Sequence, residues 1–375
     1  MSRYIWQLPR WPDLGFDAAR VLAPLADCRR RQGALLARLE SLGLEDSRTA
    51  QAVTLEEDAL QTAAIEGETL DLERVRSSVA VHLGLPHGGL RPADRATDGL
   101  IQVLLDATRN HALPLTAERL FSWHAALFPT GRAGLAAIRV GAWRERPMEV
   151  VSGPLGRQRV HFAGPPAETL QAEMAAFFSW WEASRGVLDG ILRAGLAHLR
   201  FVTIHPFDDG NGRLARTLTD MALAQDENLP ARHYSLSARI MNDRKNYYEV
   251  LERTQKDDGD VTEWLVWFLA MVRQAMDAAE NALSRVLAKA AFWRRHAATS
   301  LSARQRKAVN RLLDAGSDAD GGGFEGGLTT RKYMGLTKAS RATAYREIAD
   351  LVAKGMLAPR EGKGRNAAYD LIWTQ

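Results

Sequence analysis

Twelve residues of the chain, His205-Pro-Phe-Asp-Asp-Gly-Asn-Gly-Arg-Leu-Ala-Arg216, gather a base, a carboxylate, two glycines and two arginines. Gly210 and Gly212 can take backbone angles closed to other residues and turn main-chain N–H groups outward, beside the positive end of a following helix. A diphosphate or triphosphate fits such a cradle. Arg213 and Arg216, three apart in that helix's first turn, share a face and can each clamp phosphate oxygens. Two cations there oppose the helix dipole, and a bound anion relieves the conflict. Asp209 is a hard oxygen ligand suited to Mg²⁺ bridging two phosphates, and His205 can accept a hydroxyl proton near neutral pH. Taken singly, each piece also has a structural explanation: His205 as a satisfied core histidine, Asp209 as an N-cap, the arginines as a solvated face. Their conjunction points to phosphate-transfer chemistry.

The elements that must hold these residues are mostly helical. Leu and Ala recur at helical spacing over residues 17 to about 42 and again over 54–65, with Gly43 and Gly67 as stops. Further helices are expected over 93–110, 117–127, 167–184, 188–203, 213–225 and 243–255. Over 261–296, Trp264, Trp267, Phe268, Met271, Val272 and Ala275 make one apolar stripe, a core pattern. The exception is 148–162, where two β-prone pieces flank a turn-rich connection and predict a hairpin. Residues 4–12, with two prolines among aromatics, predict an extended strap, and the Gly- and Asp-rich 316–327 a linker or long loop.

Composition narrows the class. A chain of 375 residues, 46% hydrophobic, can bury a sizeable core across two or three domains. Residues 1–13 lack the apolar run of a signal peptide, and the longest apolar stretch, 264–272, is too short to span a bilayer; a cytoplasmic protein without membrane association is expected. One cysteine, Cys28, excludes internal disulfides and reads as a packed or surface thiol. The histidines show no zinc pattern. Residues 301–375 hold 13 Lys/Arg against 8 Asp/Glu, so the net +4 of the chain belongs to its tail.

The stretch from His205 to Arg216 resembles the signature of the Fic family, His-x-Phe-x-Asp/Glu-Gly-Asn-Gly-Arg-x-x-Arg, at every specified position. The resemblance implies a protein adenylyltransferase: His205 would deprotonate a Ser, Thr or Tyr hydroxyl on a target protein, which then attacks the α-phosphorus of ATP and releases pyrophosphate. It implies that Asp209 holds Mg²⁺, that Gly210, Asn211, Gly212 and Arg213 bind the α- and β-phosphates, and that Arg216 holds the γ-phosphate. The predicted hairpin looks like the family's target-binding flap, with Val151, Ser152 and Gly153 as its equivalent residues. Tyr247 and Tyr248 resemble paired aromatics beside the nucleoside, with Tyr248 the contact.

Upstream, Thr62-Ala-Ala-Ile-Glu66-Gly67 matches the Ser/Thr-x-x-x-Glu-Gly pattern of relatives that carry an inhibitory helix. A carboxylate at Glu66 would pair with Arg216 and occupy the place of the γ-phosphate. In some relatives this glutamate serves removal of AMP, so a de-AMPylase is one alternative; transfer of UMP or of a γ-phosphate is another. Residues 329–371 look like a winged helix-turn-helix, with Lys338, Arg341 and Arg346 on its second helix and 360–365 as a basic wing. That module binds DNA in some proteins and other proteins elsewhere, so a nucleotide-sensing DNA-binding regulator is a further alternative. The opening segment resembles a domain found ahead of bacterial Fic cores.

The fold expected is therefore mainly α: a Fic-type helical core with a β-hairpin flap, plus a small C-terminal winged helix-turn-helix. Its domains would be a strap-plus-helix region over 1–52, a catalytic domain over 53–296 with the inhibitory helix at 54–66, and the winged helix over 297–375. Self-modification and homo-oligomer formation stay open.

Overall fold

The computed structural model describes residues 4–40, 42–86, 89–152, 159–315, 324, 326–360 and 367–373. Two compact units divide the chain, Met1–Ala279 and Glu280–Gln375. The first is built from helices α1 (Ala18–Glu40), α2 (Leu44–Ile65), α3 (Leu72–Leu83), α4 (Arg95–Arg109), α5 (Ala117–Leu127), α6 (Leu170–Ala183), α7 (Gly190–Ile204), α8 (Asn211–Glu227), α9 (Leu236–Asn242) and α10 (Arg244–Gln255), with the start of α11 (Thr262–Arg295). Two antiparallel hairpins interrupt them between α5 and α6: β1 (Arg132–Ala133) with β2 (Ala136–Ala137), and β3 (Glu149–Ser152) with β4 (Arg159–Ala163).

At the centre, α7 and α8 pack as an antiparallel pair. Every residue of α7 from Ile191 to Ile204 is buried, as is nearly all of α8 from Asn211 to Ala224, so both helices are covered on all sides. Burial on every side demands close approaches. A Cβ at Gly195 of α7 would lie 2.8 Å from the Phe268 ring, and the Gly195 carbonyl accepts the Trp264 indole N–H at 2.8 Å. The apolar stripe on α11 is core along its length, and Cys28 is fully buried, its thiol pushed up to about 11 by burial. Side-chain caps set the helix starts: Asp71 for α3, Asp94 for α4, Thr116 for α5, Asp189 for α7 and Ser235 for α9.

Some expectations need correction. The helix predicted over 54–65 starts ten residues earlier, at Leu44, and runs unbroken through the boundary expected at 52/53; no glycine or proline interrupts it there. Helices α3 and α9 carry too short a periodic signal to stand out in the sequence. The opening segment is a 3-10 turn over Ile5–Gln7 rather than extended, yet it does strap the fold: Ile5 is fully buried, Tyr4 packs edge-on against Phe162 of β4, and the Trp6 indole donates to the Ala163 carbonyl at 2.8 Å.

The second unit contains the end of α11, then α12 (Ala303–Ala315), β5 (Leu328–Thr329), α13 (Thr330–Thr337), α14 (Arg341–Ala353), β6 (Leu357–Pro359) and β7 (Ala368–Leu371). Its three strands form an antiparallel sheet in the order β5–β7–β6. Phe292, Leu312, Tyr333, Ile348 and Leu357 lie in its core. Lys338 is not on the second of the two helices joined by a turn, as expected. It ends α13 in a left-handed conformation, φ 57°, because Ser340 caps the start of α14. Most of the expected 316–327 linker and of the 360–365 wing lies outside the described residues.

The closest helix approach in the first unit yields a paired test. A Cβ at Gly99 of α4 would stand 2.0 Å from the Ala126 carbonyl oxygen of α5, whereas one at Gly33 of α1, an exposed position, meets nothing within 4 Å. Gly99→Ala is expected to lower stability by about 2 kcal/mol through overpacking, and Gly33→Ala to raise it by about 0.5–1 kcal/mol through helix propensity. Urea unfolding midpoints check both.

Candidate active site

Helix α7 ends at His205, which closes it in a left-handed conformation, φ 51°. The next helix starts after Gly210, φ 79°, whose freedom is needed: a Cβ there would meet the Phe128 ring at 2.8 Å. Between them the loop is tied from inside. The Asn211 carboxamide donates to the Phe207 carbonyl at 2.8 Å and accepts its N–H at 3.0 Å. Phe207, fully buried, stacks on the His124 ring at 4.2 Å, while the His124 Nε2–H donates to the Asp209 carbonyl at 3.2 Å and its Nδ1 accepts the Gly141 N–H. Arg144, 2% exposed, donates its Nε–H to the His205 carbonyl at 2.8 Å, its other guanidinium N–H groups to the carbonyls of Arg146 and Pro165 on either side of the β3–β4 hairpin, and its main-chain N–H to Pro206.

These contacts fix His205. Its Nδ1–H donates to the Val202 carbonyl at 3.2 Å, which leaves Nε2 as the acceptor. Burial pushes its pKa down to about 4 and the Arg144 charge pushes the same way, against the Val202 bond and the Glu66 carboxylate, so the ring is a free base at neutral pH. It lines a cleft of about 650 Å³ together with Glu66, Gly212, Val150, Val151, Arg244 and Tyr248, among others.

Both arginines of the signature are already paired. Arg216, its side chain 2% exposed, donates to a Glu66 oxygen at 2.7 Å, to the Thr62 hydroxyl at 2.7 Å and to the Thr62 carbonyl at 3.0 Å. The Thr-x-x-x-Glu spacing thereby seats one guanidinium with two residues a helical turn apart. Burial would raise the Glu66 pKa, but the Arg216 charge and hydrogen bond, helped by Arg213 and His205, bring it below its ordinary value. Arg213 pairs with Glu68 at 3.0 Å. Nη1 of Arg216 and Nε of Arg213 are nonetheless buried without hydrogen-bond partners among the described residues. Such donors, beside the unpaired first N–H groups of α8, fit an anion larger than a carboxylate.

Of the other residues singled out in the sequence, Gly212 sits at an ordinary helical angle. Its need is spatial: a Cβ there would come within 2.2 Å of Glu66 Oε1. The Asn211 side chain faces the loop, which leaves only its main-chain N–H for a phosphate. The Asp209 carboxylate is about half exposed, accepts the Gly210 N–H at 2.5 Å and stands 3.9 Å from Arg213, so it is open to a cation. One such carboxylate with phosphate oxygens and waters suits Mg²⁺. Tyr247 is core, bonded to His198 at 2.9 Å, and Tyr248 is the partly exposed one, its hydroxyl 3.4 Å from the Ile65 carbonyl that Arg244 also caps at 2.7 Å. On β3, Val151 is 40% exposed and Ser152 pairs with Arg159; Gly153 lies outside the described residues. Sequence reasoning missed His124 and Arg144, lone residues with no motif around them, and Glu68, which stands just outside the Thr62–Gly67 pattern.

Residues 114–223 match the sequence profile of the Fic/DOC family, and residues 4–85 that of a domain of unknown function, DUF4172, so Glu66 falls in the second match. Curated relatives include a uridine 5'-monophosphate transferase of Xanthomonas campestris pv. campestris (strain 8004), 32% identical over 145 residues, 34% of this chain and 24% of that protein. Another is the protein adenylyltransferase Fic of Nematostella vectensis, 26% identical over 222 residues, 57% and 46% of the two chains. The chain thus spans less than half the length of these relatives. Among solved structures, a Fic family protein from Desulfovibrio desulfuricans G20 has the same fold over 97% of this chain and 99% of its own, with TM-score 0.56 at 18% identity. Fic-1 from C. elegans follows over 70% and 73%, with TM-score 0.51 at 18% identity. Residues 114–223, which hold α5 to α7, both hairpins, the loop after His205 and most of α8, therefore form a Fic/DOC family domain.

Proposed function

We propose that this protein transfers AMP from ATP to a Ser, Thr or Tyr hydroxyl of a target protein, and that the end of α2 holds the site in an inhibited state. The observation that carries the reading is the Glu66–Arg216 ion pair, made in the wall of the same cleft that His205 lines. A carboxylate standing on that arginine, over a glycine that leaves it room, occupies the space a terminal phosphate needs.

In the transfer, the nucleoside lies in the cleft beside Tyr248, and the triphosphate follows the start of α8 past the N–H groups of Asn211, Gly212 and Arg213. Arg213 neutralises the inner phosphates and Arg216 the outer one. Asp209 would hold Mg²⁺, which when bound would supply further charge neutralisation of the phosphates. Val151 and Ser152, on an exposed strand of the hairpin, hold an extended target segment by main-chain pairing. The target hydroxyl gives its proton to His205 Nε2; its oxygen bonds to the α-phosphorus as the bond to the β-phosphate oxygen breaks, and pyrophosphate leaves. Positioning and charge stabilisation supply most of the rate.

Inhibition has two arms in this reading: Glu66 competes with the outer phosphate for Arg216, and Glu68 with the inner phosphates for Arg213. The two differ in strength, since the Glu68 side chain is 48% exposed and that of Glu66 27%. Glu66→Gly is expected to raise label transfer from α-labelled ATP into protein by about tenfold or more, and Glu66→Gly/Glu68→Gln by roughly a further threefold. Adding His205→Ala abolishes transfer. Parallel reactions with α-labelled UTP and γ-labelled ATP identify the group moved; preferential UMP incorporation would replace AMP in the proposal. No incorporation by Glu66→Gly from any nucleotide, with ATP still bound, would sink the transferase reading in favour of AMP removal or nucleotide sensing.

The base has its own test. Histidine Cε1–H NMR signals should show His205 titrating near pH 4 in the wild type. Glu66 raises that pKa through its charge, so Glu66→Gln is expected to move the midpoint lower. In Glu66→Gly the same loss keeps His205 of the free enzyme unprotonated, and kcat/KM for ATP has no acid limb from this group above about pH 5.

A further inference from the structure

Helix α14 of the second unit turns one face to its core and one to solvent. Ala344, Glu347, Ile348 and Leu351 are buried, while Arg341, Ala342, Tyr345, Arg346 and Ala349 are exposed, Tyr345 at 69%. At helical spacing the exposed set is one continuous strip, with Ala342, Tyr345 and Ala349 along its middle and the two arginines on its edges. Lys338, also exposed, precedes the helix in the turn that joins α13 to it.

The charges on this strip have no ion-pair partners among the described residues. Lys338, Arg341 and Arg346 make no ion pair among the described residues, whereas Arg304, Lys354 and Arg360 of the same unit are paired with Glu347, Asp350 and Asp370. The two carboxylates of α14 nearest the strip are both taken: Glu347 accepts from Arg304, Ser302 and the buried Tyr333 hydroxyl, and Asp350 from Gln305 and Lys354. The acids of α14 are therefore engaged on the sides of the helix away from the strip, and its cations face outward.

We infer that the exposed face of α14, with Lys338 before it, is a docking surface for double-stranded DNA, with Arg341 and Arg346 meeting phosphates on the two rims of the major groove. Two alanines let the helix backbone come close to a groove floor about 12 Å wide, and Tyr345 reaches the base edges. A membrane surface fits poorly, since the strip holds no large aliphatic side chain to insert. A protein interface would be expected to centre on several apolar anchors, and this one offers a single tyrosine.

The inference is independent of AMP transfer, and its test uses the full chain with a labelled mixed-sequence 24-base-pair DNA duplex, read by fluorescence anisotropy. Binding is expected with a Kd on the order of 10 μM at 100 mM salt, falling in log–log fashion with a slope of about −2.7 for three phosphate contacts. Arg341→Ala/Arg346→Ala should weaken it at least tenfold and flatten the slope by about 1.8. Tyr345→Ala should weaken it about threefold with the slope unchanged. Lys307→Ala/Arg311→Ala, the same charge change on exposed positions of α12, should stay within twofold of wild type. Label transfer by the Glu66→Gly protein should be unaffected by the α14 substitutions.

Four results overturn the inference: no duplex binding at 50 mM salt, equal losses in the two double variants, displacement by poly-glutamate as effective as by unlabelled duplex, or equal affinity for an A-form RNA duplex. The third would assign the face to an acidic protein, and the fourth to backbone charge without groove entry.

Discussion

Arg216 is a cation sealed almost wholly inside the protein, and a cation in that place must have an anion. Desolvating a guanidinium is costly unless its donors are met, and removing one partner of a buried pair costs more than the pair contributes. The surroundings are arranged around this demand. Thr62 supplies a hydroxyl and a carbonyl, Glu66 the charge, and residue 212 has no side chain so that the carboxylate can reach. Two arms of the guanidinium are used and Nη1 is not. The pair with Glu66 thus meets the charge demand and leaves one donor unmet, which suits the inhibited state proposed above.

The same demand explains why the loop before α8 is so firmly tied. A phosphate cradle works only if its N–H groups stay aimed when the anion arrives. Asn211 closes the loop on itself, His124 holds Asp209 from beneath, and Arg144 joins the His205 carbonyl to both ends of the β3–β4 hairpin. The base, the cradle and the strand that would carry the target are connected through one buried guanidinium whose acceptors are all main-chain carbonyls. Since those carbonyls carry no formal charge, Arg144 positions the site without adding an anion that would repel the nucleotide.

What the sequence made legible follows from locality. His205 to Arg216 could be read because the cradle is built within one turn and two helix ends, so spacing alone places its parts. Thr62 and Glu66 were legible only through the resemblance to relatives with an inhibitory helix, and the structure adds that both, one helical turn apart, serve a single arginine. Tyr247 and Tyr248 divided into core and cleft as expected, since adjacent residues on a half-buried helix point apart. His124, Arg144 and Glu68 were invisible because each acts across long chain separations, and a lone polar residue has no periodicity to betray it. Gly212 was legible for the wrong reason: its backbone angle is ordinary and the need is for empty space, which only the neighbouring helix reveals. Lys338 moved from a helix to a turn because Ser340, a stronger N-cap, decides where α14 begins.

A base with a pKa near 4 is by itself poorly matched to chemistry at neutral pH, since proton acceptance is most effective near the working pH. The causes of that low value resolve the difficulty. Burial is the main one, and among the opposing influences is the negative charge of Glu66, which stands where a phosphate would stand. Replacing that single carboxylate by a triphosphate brings more negative charge close to His205 and stabilises its protonated form. On the proposed function, the arrival of the nucleotide would therefore strengthen the base at the moment it is needed, while in its absence burial keeps His205 neutral and poorly basic. In the proposed reading, inhibition and activation at this site would act through one variable, the amount of negative charge lodged against Arg216.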